Sequence, residues 1–280
     1  MALADFAAYV SKLSVPDEKI LGGGNSLTHP AGTRWASYFD LGTKAFNNSG
    51  AITGASALPP TTAATCDRTT NGAIGQRNPA SGSLFGWVRS WYMSNNLAGT
   101  LMLADRLAHI SGLSGTVTTA QTVSTPALTR YTTGDRVIAC VEIYTAVGAT
   151  ATTLTISYTN QAGTAGRTSQ PIDFGATNNN AAGRMFFVSL QQGDTGVRSV
   201  QSVTLAGTTG TAGNFGVTLL RPLLCLPVLN AQDYGMSGLP FRELGMHMPQ
   251  IQTDACLQLL FNGTGQSIIN FATEIDFMEV

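Results

Sequence analysis

Alternating apolar and polar positions dominate the chain from residue 114 onward. Between residues 153 and 159, Leu154, Ile156 and Tyr158 alternate with threonine and serine. Because successive side chains of a strand point to opposite faces, this pattern predicts a half-buried strand whose outer face carries hydroxyl groups. The same alternation recurs in the segments that begin at Val137, Phe215, Leu257 and Ile269.

Turn sequences that contain glycine separate these segments: Thr133-Gly134-Asp135, Gln161-Ala162-Gly163, Gly193-Asp194-Thr195-Gly196 and Thr211-Ala212-Gly213-Asn214. Roughly six to eight strands joined by such turns, with no helical spacing between them, predict a mainly-β fold. Its predicted form is an antiparallel, jelly-roll-like β-sandwich, and a closed barrel is the main alternative. Residues 101–110 fit either a strand or a helix face, and both remain open.

The N-terminal part of the chain has a different pattern. Apolar residues in 5–13 fall at helical spacing, which predicts a short amphipathic helix that ends before Pro16. Residues 25–80 are rich in glycine, alanine, threonine, asparagine and proline and have little periodicity, which predicts an extended, loop-rich arm. Local disorder is the alternative. We therefore divide the chain into an N-terminal helix and arm over 1–83 and a β-sandwich domain over 84–280.

Charged residues are scarce, at 11% of the chain, against about 25% in an average soluble protein. The 15 basic and 16 acidic residues nearly cancel, which excludes a generic nucleic-acid binder, whose affinity needs clustered cations. Charged residues are depleted at the centres of protein interfaces, so this composition favours a protein whose surface is covered by neighbouring molecules. The N-terminus has no basic stretch typical of a secretory signal, and no segment approaches the ~20 apolar residues of a membrane span. We expect a soluble protein with no membrane partner.

The cysteines at positions 66, 140, 225 and 256 form no Cys-x-x-Cys pair, so they do not predict a zinc site. Cys140 and Cys256 lie in apolar, strand-like runs and are predicted to be buried. A chain of this length does not need disulfides for stability, and we therefore expect free thiols.

No pattern in the chain predicts a catalytic, cofactor-binding or metal site. His29, His109 and His247 have no second ligand at metal-binding spacing, so structural roles are favoured. A phosphate-binding Gly-Lys motif and a Gly-x-Ser-x-Gly elbow are both missing from the sequence. We therefore expect no enzymatic activity and no cofactor.

Glu274, Asp276 and Glu279 form an acidic stripe near the C-terminus. On a strand, Glu274 and Asp276 would share one face, as paired glycosidase carboxylates do. A solvated outer face explains the stripe as well, and a divalent ion bridging subunits is a third explanation. The catalytic explanation is the least favoured of the three, which agrees with the expected absence of enzymatic activity, and the other two remain open.

Two further features concern contacts. Asp105-Arg106 and Asp135-Arg136 place opposite charges side by side, and adjacent strand residues face opposite ways, so each charge is expected to pair elsewhere. Such pairs are either inter-strand or inter-subunit salt bridges or solvated charges of little energetic consequence. Aromatic residues concentrate near the start of the β-rich part, and they are the candidate interface anchors Trp87, Trp91 and Tyr92.

Several strings in the chain resemble a family of tailed-bacteriophage proteins: Asp105-Arg106-Leu107, Gly112-Leu113-Ser114-Gly115, Tyr158-Thr159-Asn160-Gln161, Gly166-Arg167-Thr168, Gly193-Asp194-Thr195-Gly196-Val197-Arg198-Ser199-Val200 and Gly213-Asn214-Phe215-Gly216. Members of this family are structural proteins of the virion. The similarity covers about residues 86–280, and each string is a turn with its flanking strand starts.

The resemblance implies a component of a phage particle, made in the cytoplasm of the host bacterium. The preferred role is a capsid decoration (cement) protein that binds the major capsid protein of the same phage and reinforces the head shell. Shell symmetry makes a homo-oligomer, specifically a trimer, the expected assembly. The alternatives are the major capsid protein itself, a tail or tail-tip protein, and a receptor- or carbohydrate-binding β-sandwich.

Overall fold

A computed structural model describes residues 18–29, 35–38, 58–74, 78–80, 83–94, 99–177, 179–228, 234–235, 249–263 and 267–279. Within these ranges the chain is all-β and contains no helix. The helix predicted over 5–13 lies outside the described residues. The described part also contains no helix of the length and hydropathy needed to cross a membrane.

The strands, in chain order, are β1 (Glu18–His29), β2 (Trp35–Tyr38), β3 (Ala64–Thr65), β4 (Leu84–Ser94), β5 (Gly99–His109), β6 (Gln121–Thr122), β7 (Ile138–Thr145), β8 (Thr152–Asn160), β9 (Arg167–Thr168), β10 (Ile172–Phe174), β11 (Arg184–Phe187), β12 (Val197–Leu205), β13 (Asn214–Val228), β14 (Tyr234–Gly235), β15 (Gln250–Ile251), β16 (Leu257–Gly263) and β17 (Ser267–Glu279). The segment 101–110, for which the pattern left two conformations open, therefore belongs to a strand.

These strands form three antiparallel sheets. The ring sheet has the order β13-β7-β11-β2-β16-β5-β3, and a further pairing of β13 with β5 closes six of its strands into a ring. The outer sheet has the order β10-β8-β12-β6, with β9 beside β8. The end sheet has the order β1-β17-β4-β14, with β15 beside β4.

The outer sheet packs face to face on the ring sheet, which confirms the predicted β-sandwich. The alternating positions of β7, β8 and β13 supply the core between the two sheets, as their pattern predicted. The apolar side chains that these three strands turn toward the outer-sheet interface are fully buried: Ala139, Val141, Ile143, Leu154, Ile156, Tyr158, Phe215, Val217 and Leu219. Phe174 of β10 also belongs to this core, and its ring centroid lies 4.9 Å from that of Phe215 with the two rings tilted by 56°.

The faces of the ring-sheet strands that point away from the outer sheet line a second, smaller core inside the ring. Met102, Cys140, Met185, Leu220 and Leu260 belong to it, together with Ala104. Because β7 alternates, Val141 faces the outer sheet while Cys140 and Glu142 face the interior of the ring. The closed barrel and the sandwich, which the sequence analysis treated as alternatives, thus coexist in this fold.

Part of the N-terminal segment consists of strands. β1 pairs with β17 over its length, with an irregularity between Gly23 and Asn25, and β2 pairs with both β16 and β11. The partners of these strands are far away in the sequence, so local periodicity did not reveal them. The predicted division of the chain at residues 83 and 84 remains a prediction.

Candidate functional site

The outer face of the outer sheet carries the most regular surface in the described part of the chain. Register across β8 and β12 pairs Ser199 with Thr159, Ser202 with Ser157 and Thr204 with Thr155. The residues between them pair Val200 with Tyr158, Val203 with Ile156 and Leu205 with Leu154, and these face the core. The hydroxyl-covered face predicted from the alternation is therefore present, and it extends over two neighbouring strands.

One row of hydroxyl groups crosses four strands of this sheet. Thr168 of β9 is opposite Ser157, Ser157 is opposite Ser202, and Ser202 is opposite Thr122 of β6. Strands lie about 4.8 Å apart, so the row spans about 14 Å. We call these four residues the hydroxyl row. Its two outer members are exposed and its two inner members are partly exposed.

Gln201 lies at a bulge of β12, where the register shifts between Val200 and Ser202, and it contacts hydroxyl groups of the outer face. Its side-chain amide donates hydrogen bonds to Thr159 Oγ1 at 3.1 Å and to Ser199 Oγ at 2.9 Å. The amide therefore fixes the positions of hydroxyl groups on both strands.

Charged side chains of the outer sheet lie at its margins. The Arg198 guanidinium donates to the Thr133 and Gln161 carbonyl oxygens at 3.1 and 2.7 Å. Asp173 is exposed on the edge strand β10. A neutral hydroxyl centre with charges at the rim matches the usual anatomy of a protein interface.

At one end of the outer sheet, the carboxylate of Asp194 collects hydrogen bonds from three side chains. Arg167 Nε donates to it at 2.9 Å, Asn160 Nδ2 donates at 2.7 Å, and the Tyr158 hydroxyl donates as well. Burial raises the pKa of Asp194, but these hydrogen bonds outweigh it and hold the pKa below its usual value. Asp194 is therefore an ionised anchor that joins the 190–196 turn to β8 and β9.

A buried charge cluster occupies the interior of the ring. Arg106 of β5 donates to Glu142 Oε2 of β7 at 2.8 Å and to Gln258 Oε1 of β16 at 3.1 Å. The hydroxyls of Tyr144 and Thr218 also donate to Glu142 Oε2, at 3.1 and 3.0 Å. We call these five residues the ring cluster. They come from four strands, so the cluster fixes the relative positions of those strands.

Electrostatics maintain the charges of the ring cluster. Burial alone lowers the pKa of Arg106, but the Glu142 carboxylate beside it raises the pKa above its usual value. Burial and the Glu142 charge raise the pKa of Tyr144, so its hydroxyl stays protonated and donates. The ring cluster can therefore fix the register of the four strands that contribute to it. Its polar groups are enclosed and are not open to a ligand.

Asp105 points to the opposite side of β5 and forms a second buried ion pair. Its carboxylate accepts hydrogen bonds from Arg130 Nη2 at 2.8 Å and Nε at 2.9 Å, and from the Cys256 amide at 2.9 Å. Burial raises the pKa of Asp105, and the Arg130 guanidinium opposes that effect. The adjacent charges of Asp105 and Arg106 are thus paired separately, as predicted, and both pairs are inter-strand or strand-to-loop bridges.

The second charge pair of the sequence behaves differently. Asp135 and Arg136 were expected to pair elsewhere, but Arg136 Nε lies 3.7 Å from Asp135 Oδ2. Arg136 has a φ of 55°, so the two residues belong to a turn and the alternation rule for strands does not apply. Both side chains are more than half exposed, at 77% and 53%. This pair is therefore a solvated one.

The predicted interface aromatics lie on β4. Register places Trp87 opposite Asp276, Trp91 opposite Thr273 and Tyr92 opposite Ala272 of β17. Their side chains lie outside the described part, so their interface role remains a prediction.

The acidic stripe lies on β17. Register places Glu274 opposite Leu21 and Asp276 opposite Lys19 of β1. The three explanations for these acids remain predictions. Elsewhere, the described residues contain no group of three or more histidine, cysteine or acidic side chains able to hold a metal ion.

The structure also locates the histidines and cysteines. His109 is buried, and its Nδ1 accepts a hydrogen bond from Arg106 Nε at 3.2 Å, as suits a structural histidine. Cys140 and Cys256 are buried, which confirms the prediction, and all four cysteines are free thiols. His29 belongs to β1, and His247 lies outside the described residues.

Glu142, Arg130 and Gln258 were not predicted as partners of the Asp105-Arg106 pair. Glu142 stands inside the apolar strand Ile138–Thr145, and a lone charge in such a strand signals a buried ion pair. That signal was available, but it identifies no partner, because the partners come from distant strands.

Comparisons with known proteins leave the family undefined. No family model and no curated protein matches this chain. A structure of infectious bursal disease virus, Gt strain, aligns with 95% of this chain and 82% of its own at 9% identity and a TM-score of 0.20. The infectious bursal disease virus VP2 subviral particle aligns with 97% of this chain and 86% of its own, at 9% identity and a TM-score of 0.17. Alignments at these TM-scores define neither a shared fold nor a function.

Proposed function

We propose that the chain is a structural subunit of a virus particle, specifically a decoration (cement) protein on the capsid surface of a tailed phage. The observation that carries the proposal is the hydroxyl row, a neutral line of groups across four strands with charged side chains at the sheet margins. The low charge content of the chain and the resemblance of residues 86–280 to phage virion proteins support the same role.

The outer face suits docking on a protein for a physical reason. Hydroxyl groups rotate to donate or accept hydrogen bonds, so few of them are left unsatisfied when a partner covers them. A charged centre would instead lose its hydration on burial, at a cost of several kcal/mol per unpaired ion. An interface of about 800 Å² per partner, repeated over a shell, would strengthen the shell by buried area alone.

The proposed partner of this face is the major capsid protein of the same particle. Gln201 and the two sheet cores hold the face rigid before any partner arrives. A preformed surface loses little conformational entropy on binding, so more of the contact energy appears as affinity.

The test is binding of the purified full chain to capsids that lack it, measured by co-sedimentation. Ser157→Arg and Ser202→Arg place a cation at the centre of the hydroxyl row, and each should weaken binding by roughly 100-fold or more. Thr253→Arg is the matched control, because Thr253 is exposed in the turn before β16, away from the outer sheet. It should bind like the wild type.

Equal binding by the Ser202→Arg and Thr253→Arg proteins would contradict a capsid contact through the outer face. Saturable binding of the wild type to host glycans, lost in Ser202→Arg, would instead establish a receptor-binding module. Sedimentation equilibrium of the free protein tests the expected trimer, and a monomer at all concentrations would exclude it.

A further inference from the structure

Two cysteines meet on one side of β5. The short strand β3 and the longer strand β16 lie on that side one after the other, both antiparallel to β5. The Cys66 amide, just after β3, donates to the Leu107 carbonyl at 2.9 Å. The Arg106 amide donates at 2.7 Å to the carbonyl of Cys256, just before β16. Cys66 and Cys256 therefore lie beside consecutive residues of β5, although 189 residues separate them in the sequence.

The two thiols share one enclosed site. Cys66 and Cys256 are both fully buried and pack together with Ala73. Their side chains are hydrogen-bonded to each other, and the Cys66 thiol also contacts the His109 ring. Two cysteines that pack together, on backbones hydrogen-bonded to consecutive residues of one strand, are placed as a disulfide requires.

The two sulfurs differ in acidity. Burial raises the pKa of Cys66, but hydrogen bonds from Cys256 and His109 and the nearby cations lower it to about 5. Burial and the neighbouring Cys66 raise the pKa of Cys256 well above its usual value. The pKa of Cys66 is lowered and that of Cys256 is raised, so Cys66 is the thiol that ionises first, as an attacking cysteine does, and Cys256 has the character of a resolving cysteine.

We propose that Cys66 and Cys256 are a redox pair that closes into a disulfide when the protein meets a low-molecular-weight disulfide. The Cys66 thiolate attacks one sulfur of the reagent, the reagent S–S bond breaks, and one thiolate leaves. The Cys256 sulfur then attacks Cys66 in the mixed disulfide and expels the second thiolate, which takes up the Cys256 proton. One reagent disulfide is reduced to one thiolate and one thiol, and the Cys66 thiolate and the Cys256 thiol become one protein disulfide, so electrons, protons and charge balance.

The reaction site lies directly beneath the surface. Thr65 and Arg68, on either side of Cys66, are exposed, and so are Thr253 and Asp254 before Cys256. A local opening of the 58–74 segment is therefore enough to admit the reagent. The disulfide would tie this segment to β16 and close a loop that contains most of the chain, which restricts the unfolded state. This inference does not depend on the proposed capsid contact.

The experiment treats the full-length protein with oxidised glutathione at pH 7, blocks remaining thiols with N-ethylmaleimide, and maps peptides by mass spectrometry without reduction. We expect a Cys66–Cys256 cross-linked peptide and a rise in Tm on the order of 10 °C that dithiothreitol reverses. Cys225→Ser is the matched control, because Cys225 is exposed and outside the pair. It should keep both the cross-link and the Tm rise.

Cys66→Ala and Cys256→Ala should each abolish the rise in Tm. A Cys256→Ser protein, which keeps a hydrogen-bond donor beside Cys66 but has no resolving sulfur, should accumulate glutathione on Cys66. Peptide mapping of the wild type decides the question even if a variant fails to fold. A stable glutathione adduct on wild-type Cys66 without loss of the Cys256 thiol would overturn the proposal, as would unreacted thiols at both positions.

Discussion

Charged side chains usually lie on the surface of a protein and neutral ones inside, but the interior of the ring sheet and the outer face of the outer sheet show the reverse. Arg106 and Glu142 are buried inside the ring, whereas the half-exposed centre of the outer face consists of neutral hydroxyl groups. Both regions use side chains of neighbouring β-strands in register. They differ in what those side chains contact, since Arg106 and Glu142 pair with each other within the chain and the hydroxyl row is left to solvent or to a partner.

This contrast shows where a charge-poor chain uses its ionic groups. A buried ion pair loses most of its Coulomb energy to desolvation, so it adds little net stability compared with well-packed apolar residues. Removing one partner of the pair is costly, however, because the remaining charge is then buried without a counter-charge. We infer that the ring cluster specifies which strands meet, while the outer face remains neutral and available for contact.

The largest expected effect separates the two regions. Glu142→Gln removes the counter-charge of Arg106 while preserving side-chain shape, and should lower the free energy of unfolding by about 3–5 kcal/mol. The midpoint of urea denaturation measures this. Asp135→Asn is the matched control at an exposed ion pair and should cost about 1 kcal/mol or less. Equal effects of the two substitutions would show that burial of the pair has no energetic consequence.

A smaller effect is expected where the ring and the sandwich meet. Gly216 of β13 lies opposite Glu142, and a Cβ added there would stand 1.7 Å from the Ile110 carbonyl oxygen. Gly216→Ala should therefore push β5 away from β13 and destabilise the protein by about 1–3 kcal/mol. In Gly207→Ala the nearest atom is Thr152 Oγ1 at 3.4 Å, and its stability should stay within about 0.5 kcal/mol of wild type. A stable Gly216→Ala protein would mean that the two strands are not held together at this point.

Acid should affect the end of the outer sheet through Asp194. Its pKa is lower in the folded protein than its ordinary value of 3.8, so its stabilising contribution is present above that value and is lost as pH falls through the folded value. Between about pH 5 and pH 2 the wild type should lose more stability than Asp194→Asn. Denaturation midpoints across this range measure the difference. Equal losses of stability in the wild type and in Asp194→Asn would show that Asp194 does not carry the acid sensitivity.

The smallest effect is expected at the hydroxyl row itself. Ser202→Ala removes a partly exposed hydroxyl and leaves the β12 backbone pairing intact, so stability should change by less than about 0.5 kcal/mol. Thermal denaturation measures it. A large loss would mean that the hydroxyl row holds the fold together, and the functional contrast between the two regions would disappear.

Sequence patterns predicted the parts of this molecule that depend on neighbours in the chain. The alternation around Leu154 predicted a strand with one buried face, and its buried positions are those the pattern indicated. Around Phe215 the predicted positions are buried, but Thr218 and Leu220 between and after them are buried too, because the opposite face of β13 lines the ring. The hydroxyl face of β8 was predicted for the same reason. β1 and β2 were not predicted, because their glycine and polar residues break the apolar–polar alternation and their partners β17 and β16 lie near the other end of the chain.

The candidate site was predictable only in part. Asp105 and Arg106 were expected to pair separately, because adjacent strand residues face opposite ways. Their partners could not be predicted, since Arg130 and Glu142 approach them through folding of distant segments. The contact between Cys66 and Cys256 beside β5 could not be predicted for the same reason.

Composition and the two-residue period of a strand were enough to predict a protein that is β-rich, poor in charge and covered by hydroxyl groups on at least one strand face. The tertiary structure decided that the ring closes, that four strands align their hydroxyls in one row, and which charges and thiols face each other. Strand register and sheet closure depend on the packing of segments far apart in the chain, and no local period records them.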